Sequence, residues 1–169
     1  MLVSIVTACF NEKRNIQNTI ESVLKQSISH EIEHIVVDGG SKDGTIDILK
    51  KYTRENLFYI SEKDSGIYDA WNKGTQIARG EWLIFLGADD VFYDNKVIER
   101  FKSILLNAYP DYIAVYGKIL LKKKNSNEII EEVSRPNVGE RGGYVLGRPV
   151  LPYTPEIFFH KSIFTMLNG

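Results

Sequence analysis

Two adjacent carboxylates follow directly on an apolar run near the middle of the chain. The stretch FLGADD ends in Asp89 and Asp90. Adjacent acids repel each other, and a strand end packed against its neighbours has little solvent to separate their charges. Carboxylate oxygens suit Mg²⁺ or Mn²⁺, and Mg²⁺ is typically held by one or two carboxylates together with substrate phosphates. The pair therefore predicts a divalent cation, with a nucleotide diphosphate completing its site.

Three earlier apolar runs also end in polar residues. These residues are Asn11 and Glu12 after the first run, Asp38 and Asp43 after the second, and Glu62 and Asp64 after the third. Each one alone could be a helix cap or a turn residue, because Asp, Asn and Ser accept backbone N–H bonds there. Asp43, next to Gly44, is interpreted in that way. Capping needs only one short polar residue per helix, so the surplus indicates a cation or a ligand with many hydroxyls.

The four runs alternate with helical patterns. The predicted strands cover residues 2–8, 33–37, 57–60 and 81–86. Helical spacing follows them in four sets of apolar residues: Ile16, Ile20, Val23 and Leu24; Ile46, Leu49 and Tyr52; Ile67, Trp71, Ile77 and Ala78; Val97, Phe101, Ile104 and Leu105. This alternation predicts an α/β domain with a mainly parallel central sheet flanked by helices. Ligands bind outside the carboxyl ends of such strands, where all four polar clusters lie.

The second half of the chain has a different character. Beyond Pro110, DYIAVYGKILL and NEIIEEVS alternate as two antiparallel strands would, and residues 136–155 are rich in Gly and Pro, which predicts a long loop. We expect one domain over residues 1–169, with a ligand-binding half at 1–107 and a smaller half at 108–169. The basic residues 122–124 are interpreted as a solvated turn, with a peripheral membrane contact as the alternative.

The composition excludes several classes of protein. The formal net charge of −1 gives no basic excess for nucleic-acid binding, and 43% hydrophobic with 25% charged residues is ordinary for a globular protein. The single cysteine, Cys9, forms no internal disulfide and suits a reducing compartment, so the cytoplasm is expected. No apolar run reaches the roughly 18 residues that span a bilayer, and the N-terminus shows no leader.

Four motifs in order resemble one family. VSIVTACFNE, HIVVDGGSKDGT, EKDSGIYDAWNKG and RGEWLIFLGADD are similar to the N-terminal nucleotide-binding half of glycosyltransferase family 2, and to its bacterial members that build cell-surface polysaccharides. The resemblance implies the GT-A fold, a Rossmann-like nucleotide-diphospho-sugar transferase fold. It covers roughly the first ninety residues strongly. A dinucleotide-dependent oxidoreductase is disfavoured because TACFNE stands where G-x-G-x-x-G would follow the first strand.

The resemblance assigns residues to a nucleoside-diphosphate sugar donor, either a UDP-sugar or a GDP-sugar. The positions that match the family's donor-binding motifs are Thr7, Asn11, Glu12, Asp38, Asp64 and Gly66, with Lys73 as a possible diphosphate contact. Physically, a carboxylate accepts hydrogen bonds from a base N–H or from ribose hydroxyls, and a glycine lets the backbone approach a ligand closely. Trp71 and Ile67 are interpreted as packing residues, whereas Tyr68 could serve either purpose.

The resemblance also implies a reaction that needs Mg²⁺ or Mn²⁺. The family binds the metal through an acid, a variable residue and a second acid; here Gly87 takes the first position, leaving Asp89 and Asp90. The implied reaction transfers the sugar, with inversion, to a hydroxyl of a glycan or lipid-linked acceptor. A peripheral position at the inner face of the membrane is the alternative to a free cytoplasmic one. The base is assigned to Glu156, where relatives often have His-Gln; the alternative is a cap of a short helix after Pro155.

Two further expectations concern the end of the chain. His160 lies among Phe158, Phe159 and Ile163 and is interpreted as an ordinary packed or surface histidine. The chain stops at TMLNG, whereas relatives usually continue with another acidic motif, so the second half is expected to be incomplete. Together with Gly87 and the missing His-Gln, this leaves a non-catalytic nucleotide-sugar-binding or partner-binding module as the alternative function.

Overall fold

The structure is a computed structural model that describes residues 1–52, 56–123, 128–133, 144–145, 148–149 and 157–167. The strands in this part of the chain are β1 Val3–Cys9, β2 Ile32–Asp38, β3 Leu57–Ser61, β4 Trp82–Phe85, β5 Ala114–Tyr116, β6 Ile119–Lys122, β7 Ile129–Val133, β8 Tyr144–Val145, β9 Arg148–Pro149 and β10 Ile157–His160. The helices are α1 Ile16–Leu24, α2 Thr45–Tyr52, α3 Ile67–Ile77, α4 Val97–Ala108 and α5 Ser162–Leu167, with a 3₁₀ turn at Ser29–Glu31.

A six-stranded sheet in the order β3-β2-β1-β4-β10-β5 organises the domain. Strand β1 runs parallel to β2 and to β4, with Val3 opposite Ile32 on one side and Trp82 on the other. Strand β3 continues the parallel set beyond β2, whereas β10 is antiparallel to both of its neighbours. The predicted α/β architecture with a mainly parallel sheet is therefore confirmed, and the carboxyl ends of β1 to β4 share one edge.

Strand β10 corrects one expectation. The prediction of a short helix directly after Pro155 is wrong, because Ile157–His160 forms a strand and helix α5 begins only at Ser162. Ile157 and Phe158 are buried, and Phe158 packs against the ring of Phe101 with 4.8 Å between centroids. Burial of these apolar side chains between β4 and β5 favours the extended conformation.

The antiparallel strand pair predicted for the second half is confirmed, but its first strand is shorter than the predicted segment. The segment DYIAVYGKILL divides at Gly117, so that β5 joins the main sheet and only β6 pairs with β7 in antiparallel fashion. A Cβ at Gly117 would lie 2.7 Å from the Phe101 ring, so the chain changes direction where a side chain would not fit. Within the predicted loop 136–155, β8 and β9 form a two-residue antiparallel pair.

Helices cover both faces of the sheet. Ile16 and Ile20 of α1 pack with Val36 and with Leu49 of α2 in one apolar cluster. Helix α3 lies on the opposite face, where a Cβ at Gly74 would overlap Val6, so glycine allows the helix to approach the strand closely. Among the described residues, no helix is long and apolar enough to cross a membrane.

Two packing predictions for α3 had different outcomes. Trp71 packs against the cluster of Val6, Leu83 and Phe85, as predicted. Ile67 does not, since it is 49% exposed in the first turn of the helix. The helical period placed both residues on one stripe, but Ile67 lies beyond the end of the apolar sheet surface.

His160 is a packed histidine, as expected from its apolar neighbours. It is 7% exposed and stacks on Tyr109, with ring centroids 3.8 Å apart and planes 12° apart. Its Nδ1 lies 2.9 Å from Ser162 Oγ. Burial lowers the pKa of His160, which the nearby Glu81 opposes and Lys161 reinforces.

Candidate active site

The loops after β1 and β2 are fastened to each other at the carboxyl edge of the sheet. The backbone N–H of Asn11 donates to Ser41 Oγ at 2.7 Å, and the N–H of Lys42 donates to Asn11 Oδ1 at 3.0 Å. Asn11 has φ +55°, in the left-handed region that Asn tolerates better than most residues. This cross-link holds Asn11 beside the second loop.

Asp38 is the centre of the second loop. Its side chain is fully buried, and Oδ2 accepts from the N–H of Gly40 at 3.1 Å, the N–H of Ser41 at 2.9 Å and Ser61 Oγ at 2.8 Å. Oδ1 accepts from Ser41 Oγ. A buried carboxylate is stabilised only when its oxygens are bonded in this way. Asp38 therefore holds the loop in shape from beneath.

Cys9 adjoins this group but carries no nucleophilic thiolate. Burial and, to a smaller extent, the negative charges of Asp38, Glu12 and Asp43 together raise the pKa of its thiol to about 12. A protonated thiol is a poor nucleophile. Cys9 is a packing residue at the end of β1.

Asp43 caps the start of α2, as predicted. Its Oδ1 accepts from the N–H of Thr45 at 3.0 Å and from Thr45 Oγ1, and its Oδ2 accepts from the N–H of Lys13 at 3.0 Å. Glu12 is tied to the same helix, because its N–H donates to Thr45 Oγ1 at 3.0 Å. Its carboxylate accepts from the side-chain amide of Asn15 at 2.9 Å.

The third loop brings Asp64 over the second. A Cβ placed on Gly39 would lie 2.8 Å from Asp64 Oδ2, so the carboxylate occupies the space that a side chain at position 39 would need. Asp64 Oδ1 accepts from the N–H of Gly66 at 3.0 Å. Gly66 has φ +121°, which requires glycine, and the space beside its Cα is open to 4 Å.

The fourth loop carries Asp89 and Asp90. The N–H of Gly87 donates to Asp90 Oδ2 at 3.1 Å, and a Cβ at Gly87 would lie 2.6 Å from that oxygen. The half-buried Asp90 carboxylate thus lies where a side chain at position 87 would begin. Burial raises the pKa of Asp90, and the exposed Asp89 raises it further. Two adjacent carboxylates therefore repel each other at this strand end.

The donor set of the fourth loop fits a hard divalent cation. Both acids offer oxygens, and a cation would relieve the repulsion that raises the pKa of Asp90. Within the described ranges, no group of three or more His, Cys, Asp or Glu side chains gathers around a common point. Asp89 and Asp90 would therefore need further ligands, such as substrate phosphates, to hold Mg²⁺ or Mn²⁺.

Two residues assigned from the motifs are placed differently from the rest, and a third is not among the described residues. Thr7 is fully buried, with Oγ1 3.0 Å from His34 Nε2, so its side chain does not reach the surface of the edge. Lys73 Nζ is paired with Glu62 at 2.7 Å and lies 3.5 Å from Asp69. Glu156 lies outside the described residues.

His34 gives the fold a pH dependence that can be measured. Burial lowers the pKa of His34 from 6.5 to about 3, and its Nδ1 has no hydrogen-bond partner in the described part of the chain. Below pH 6.5 His34 binds a proton in the unfolded chain but stays neutral in the folded chain. Stability therefore falls as the pH drops from about 6.5 toward 3. We expect a loss of about 2 kcal/mol in the free energy of unfolding between pH 7 and pH 5.

Urea titrations at the two pH values measure this loss. His34→Gln keeps a polar side chain opposite Thr7 but cannot be protonated, so the difference between pH 7 and pH 5 should shrink by that amount, whatever the absolute stability of the variant. An equal pH dependence in both proteins would contradict the assignment.

Phe10 is a candidate that the motif analysis did not single out. It follows the buried Cys9 directly, yet it is 60% exposed at the carboxyl end of β1. A solvated aromatic ring between a buried strand and a polar loop is a suitable stacking surface. The available signal was a large apolar residue two positions beyond the predicted strand 2–8.

Comparison with known proteins identifies the family of this chain. The family described as Glycosyl transferase family 2 matches residues 4–158. The chain belongs to this family. An uncharacterized glycosyltransferase of Mycobacterium tuberculosis is 40% identical over 168 residues, covering 99% of this chain and 62% of that protein. The putative teichuronic acid biosynthesis glycosyltransferase TuaG of Bacillus subtilis is 37% identical over 108 residues, covering 62% of this chain and 42% of that protein.

Solved structures support the GT-A fold. TarS of S. aureus, residues 1–349, superposes with a TM-score of 0.73 at 20% identity, covering 99% of this chain and 49% of that chain, and it has also been solved with UDP-GlcNAc. The mannosyltransferase PcManGT of Pyrobaculum calidifontis, in complex with GDP-Man and Mn²⁺, gives a TM-score of 0.60 at 22% identity. The match covers 72% of this chain and 35% of that chain. The glycosyltransferase chain spans about half the length of the first curated relatives it matches.

Proposed function

We propose that this glycosyltransferase moves a sugar from a nucleoside diphosphate to a hydroxyl of a glycan or lipid-linked acceptor, in the synthesis of a cell-surface polysaccharide. One observation carries the proposal: polar loops that follow four parallel strands, which lie up to 80 residues apart in the chain, meet at one edge of the sheet. Family membership and the donors bound by the structural neighbours support the choice of substrate.

The base and ribose of the donor are assigned to the first two loops. The exposed ring of Phe10 would stack on the base, and Asn11 and Glu12 lie next to it. Asp38 and Thr7 are buried, so we assign them to holding the loops and strand beneath the nucleotide. Specificity for hydroxyls would come from the few polar groups of an otherwise preformed pocket.

The diphosphate is assigned to the third and fourth loops. Asp89 and Asp90 would hold Mg²⁺ or Mn²⁺ together with phosphate oxygens, and the bound ion would neutralise charge on the departing diphosphate. Asp64 and Gly66 lie beside open space at the start of α3 and would face the donor. For Lys73 to contact the diphosphate, its Nζ would exchange Glu62 for a phosphate oxygen.

The proposed reaction is a single displacement with inversion. The acceptor oxygen forms a bond to the anomeric carbon, the bond from that carbon to the diphosphate oxygen breaks, and a carboxylate takes the acceptor proton. Glu156 stays our prediction for that base. Residues 1–107 would bind the donor and residues 108–169 would face the acceptor. A cytoplasmic location, with peripheral contact at the inner face of the membrane, suits a lipid-linked acceptor.

A non-catalytic nucleotide-sugar-binding or partner-binding module is the second candidate. Gly87 favours it, because the family pattern has an acid at that position and the loss of one carboxylate weakens a metal site. The position of the Asp90 carboxylate weighs against this second candidate, because the carboxylate lies in the space that a side chain at position 87 would occupy.

Calorimetry with UDP and GDP, each with and without Mn²⁺, tests the proposal. Binding of one nucleoside diphosphate that tightens in Mn²⁺ is expected for both candidates. Release of free nucleoside diphosphate from a UDP-sugar or GDP-sugar, by hydrolysis or transfer, would distinguish the enzyme from the module. Absence of binding by either nucleotide would overturn both.

A further inference from the structure

Tyr68 is the exposed end of a column of aromatic side chains. It is 75% exposed, and its ring meets that of Trp71 edge to face, with centroids 5.6 Å apart and planes 86° apart. Trp71 packs on Phe85 at 4.8 Å, and Phe85 in turn meets Phe164 at 5.8 Å. An exposed tyrosine alone needs no explanation. This one packs on the half-buried Trp71, which in turn packs on the buried Phe85, and these contacts favour one orientation of the exposed ring.

The position of Tyr68 places it at the candidate active site. It lies in the first turn of α3, which begins at the carboxyl edge of the sheet directly after the loop that contains Asp64. Phe85, against which Trp71 packs, precedes Gly87 by two residues and is the last residue of β4. The braced ring therefore stands between the third and fourth acidic loops.

The surface around Tyr68 is open and partly apolar. Ile67 beside it is 49% exposed, and nothing lies within 4 Å of the Cβ position at Gly66. A pyranose ring has one face of C–H groups and a rim of hydroxyls. The negative face of an aromatic ring attracts such C–H groups, and a carboxylate such as Asp64, in the loop directly before α3, accepts hydrogen bonds from hydroxyls.

We infer that Tyr68, braced by Trp71, is a binding platform for the apolar face of a pyranose ring. The inference rests on the proposed function and adds a residue that contacts the sugar rather than the nucleotide. The sugar can come from the donor or from the acceptor, since both have the same ring chemistry.

Two substitutions of Tyr68 test the platform. Tyr68→Ala removes the ring, and Tyr68→Phe keeps it without the hydroxyl. Tyr112→Ala is the matched control. Tyr112 is 67% exposed and precedes β5, so it lies at the edge of the sheet opposite the carboxyl ends of β1 to β4. Affinities for UDP, GDP, UDP-GlcNAc and GDP-Man are measured by calorimetry with Mn²⁺. Binding of methyl pyranosides in the presence of the nucleoside diphosphate is measured by saturation-transfer NMR.

We expect Tyr68→Ala to weaken sugar binding about five- to tenfold, with Tyr68→Phe close to the parent and Tyr112→Ala unchanged. Weaker binding of the nucleotide sugar, with unchanged binding of the nucleoside diphosphate, would assign the platform to the donor sugar. Weaker binding of pyranosides alone would assign it to the acceptor sugar. Equal sugar binding by Tyr68→Ala and the parent overturns the platform but leaves the proposed function intact. A parent protein that binds no nucleotide overturns the proposed function itself.

Discussion

Asp89→Asn is expected to remove most of the Mn²⁺ dependence of nucleoside diphosphate binding. Asp89 is the exposed acid of the fourth loop, and an amide that replaces it is a far weaker ligand for a hard cation. Even residues that only orient metal ligands change metal affinity about 10- to 100-fold, so we expect a loss of at least about tenfold in the presence of Mn²⁺. Affinity without metal should change little, because removing the charge also reduces repulsion of the phosphates.

The measurement is calorimetry of UDP or GDP binding with and without Mn²⁺. Asp47→Asn is the matched control, since Asp47 is an exposed acid in the first turn of α2 and lies outside the four loops that we assign to the donor. Asp90→Asn should also weaken the metal-dependent affinity, because its carboxylate lies in the space beside Gly87. If Asp89→Asn kept the full effect of Mn²⁺, the cation would have to be held elsewhere.

Asp38→Ala is expected to give the largest loss of stability among the site residues. The substitution leaves four donors without their acceptor: the N–H groups of Gly40 and Ser41 and the hydroxyls of Ser41 and Ser61. Hydrogen bonds to a charged group contribute about 1.5–3 kcal/mol each, and some donors will reach water, so we expect a total loss of about 3 kcal/mol. Nucleoside diphosphate affinity should fall as well, because the loop that positions Asn11 loses its support.

Denaturant titration measures the loss, and nucleotide binding is then compared at a temperature where the variant remains folded. Asp47→Ala removes an exposed aspartate of the following helix and should cost less than about 0.5 kcal/mol. A folded Asp38→Ala protein with parental stability would show that the loop keeps its shape without the carboxylate. Parental stability combined with lost nucleotide binding would instead favour direct contact between Asp38 and the base.

The hydrogen-bond partners of the site were beyond the reach of sequence patterns. Asp38 was assigned to the donor from its motif, but its oxygens are bonded within the protein to Ser41 and, across 23 residues, to Ser61. Thr7 was assigned in the same way, yet it contacts His34 on the neighbouring strand. A motif identifies the type and position of a residue, whereas the direction of its side chain depends on the strands on either side.

The strands also differ in how far the sequence predicts them. Periodicity predicted β1 to β4 because each is a run of apolar residues long enough to be read locally. It did not predict β10, because Ile157–His160 becomes a strand only through pairing with β4 and β5, which precede it by about 40 to 75 residues. Non-local pairing of this kind leaves little trace in a short segment.

The sequence alone predicts that this chain is an α/β member of glycosyltransferase family 2 with acidic loops at one edge of a parallel sheet. Those properties follow from local apolar periods, from the rule that ligands bind at the carboxyl ends of parallel strands, and from four motifs in order. The tertiary structure decided which acids are buried, which are exposed, that Asp90 lies against Gly87, and that the exposed Tyr68 packs on the half-buried ring of Trp71. Burial and contact depend on residues far apart in the chain, so only the folded arrangement of strands and helices determines them.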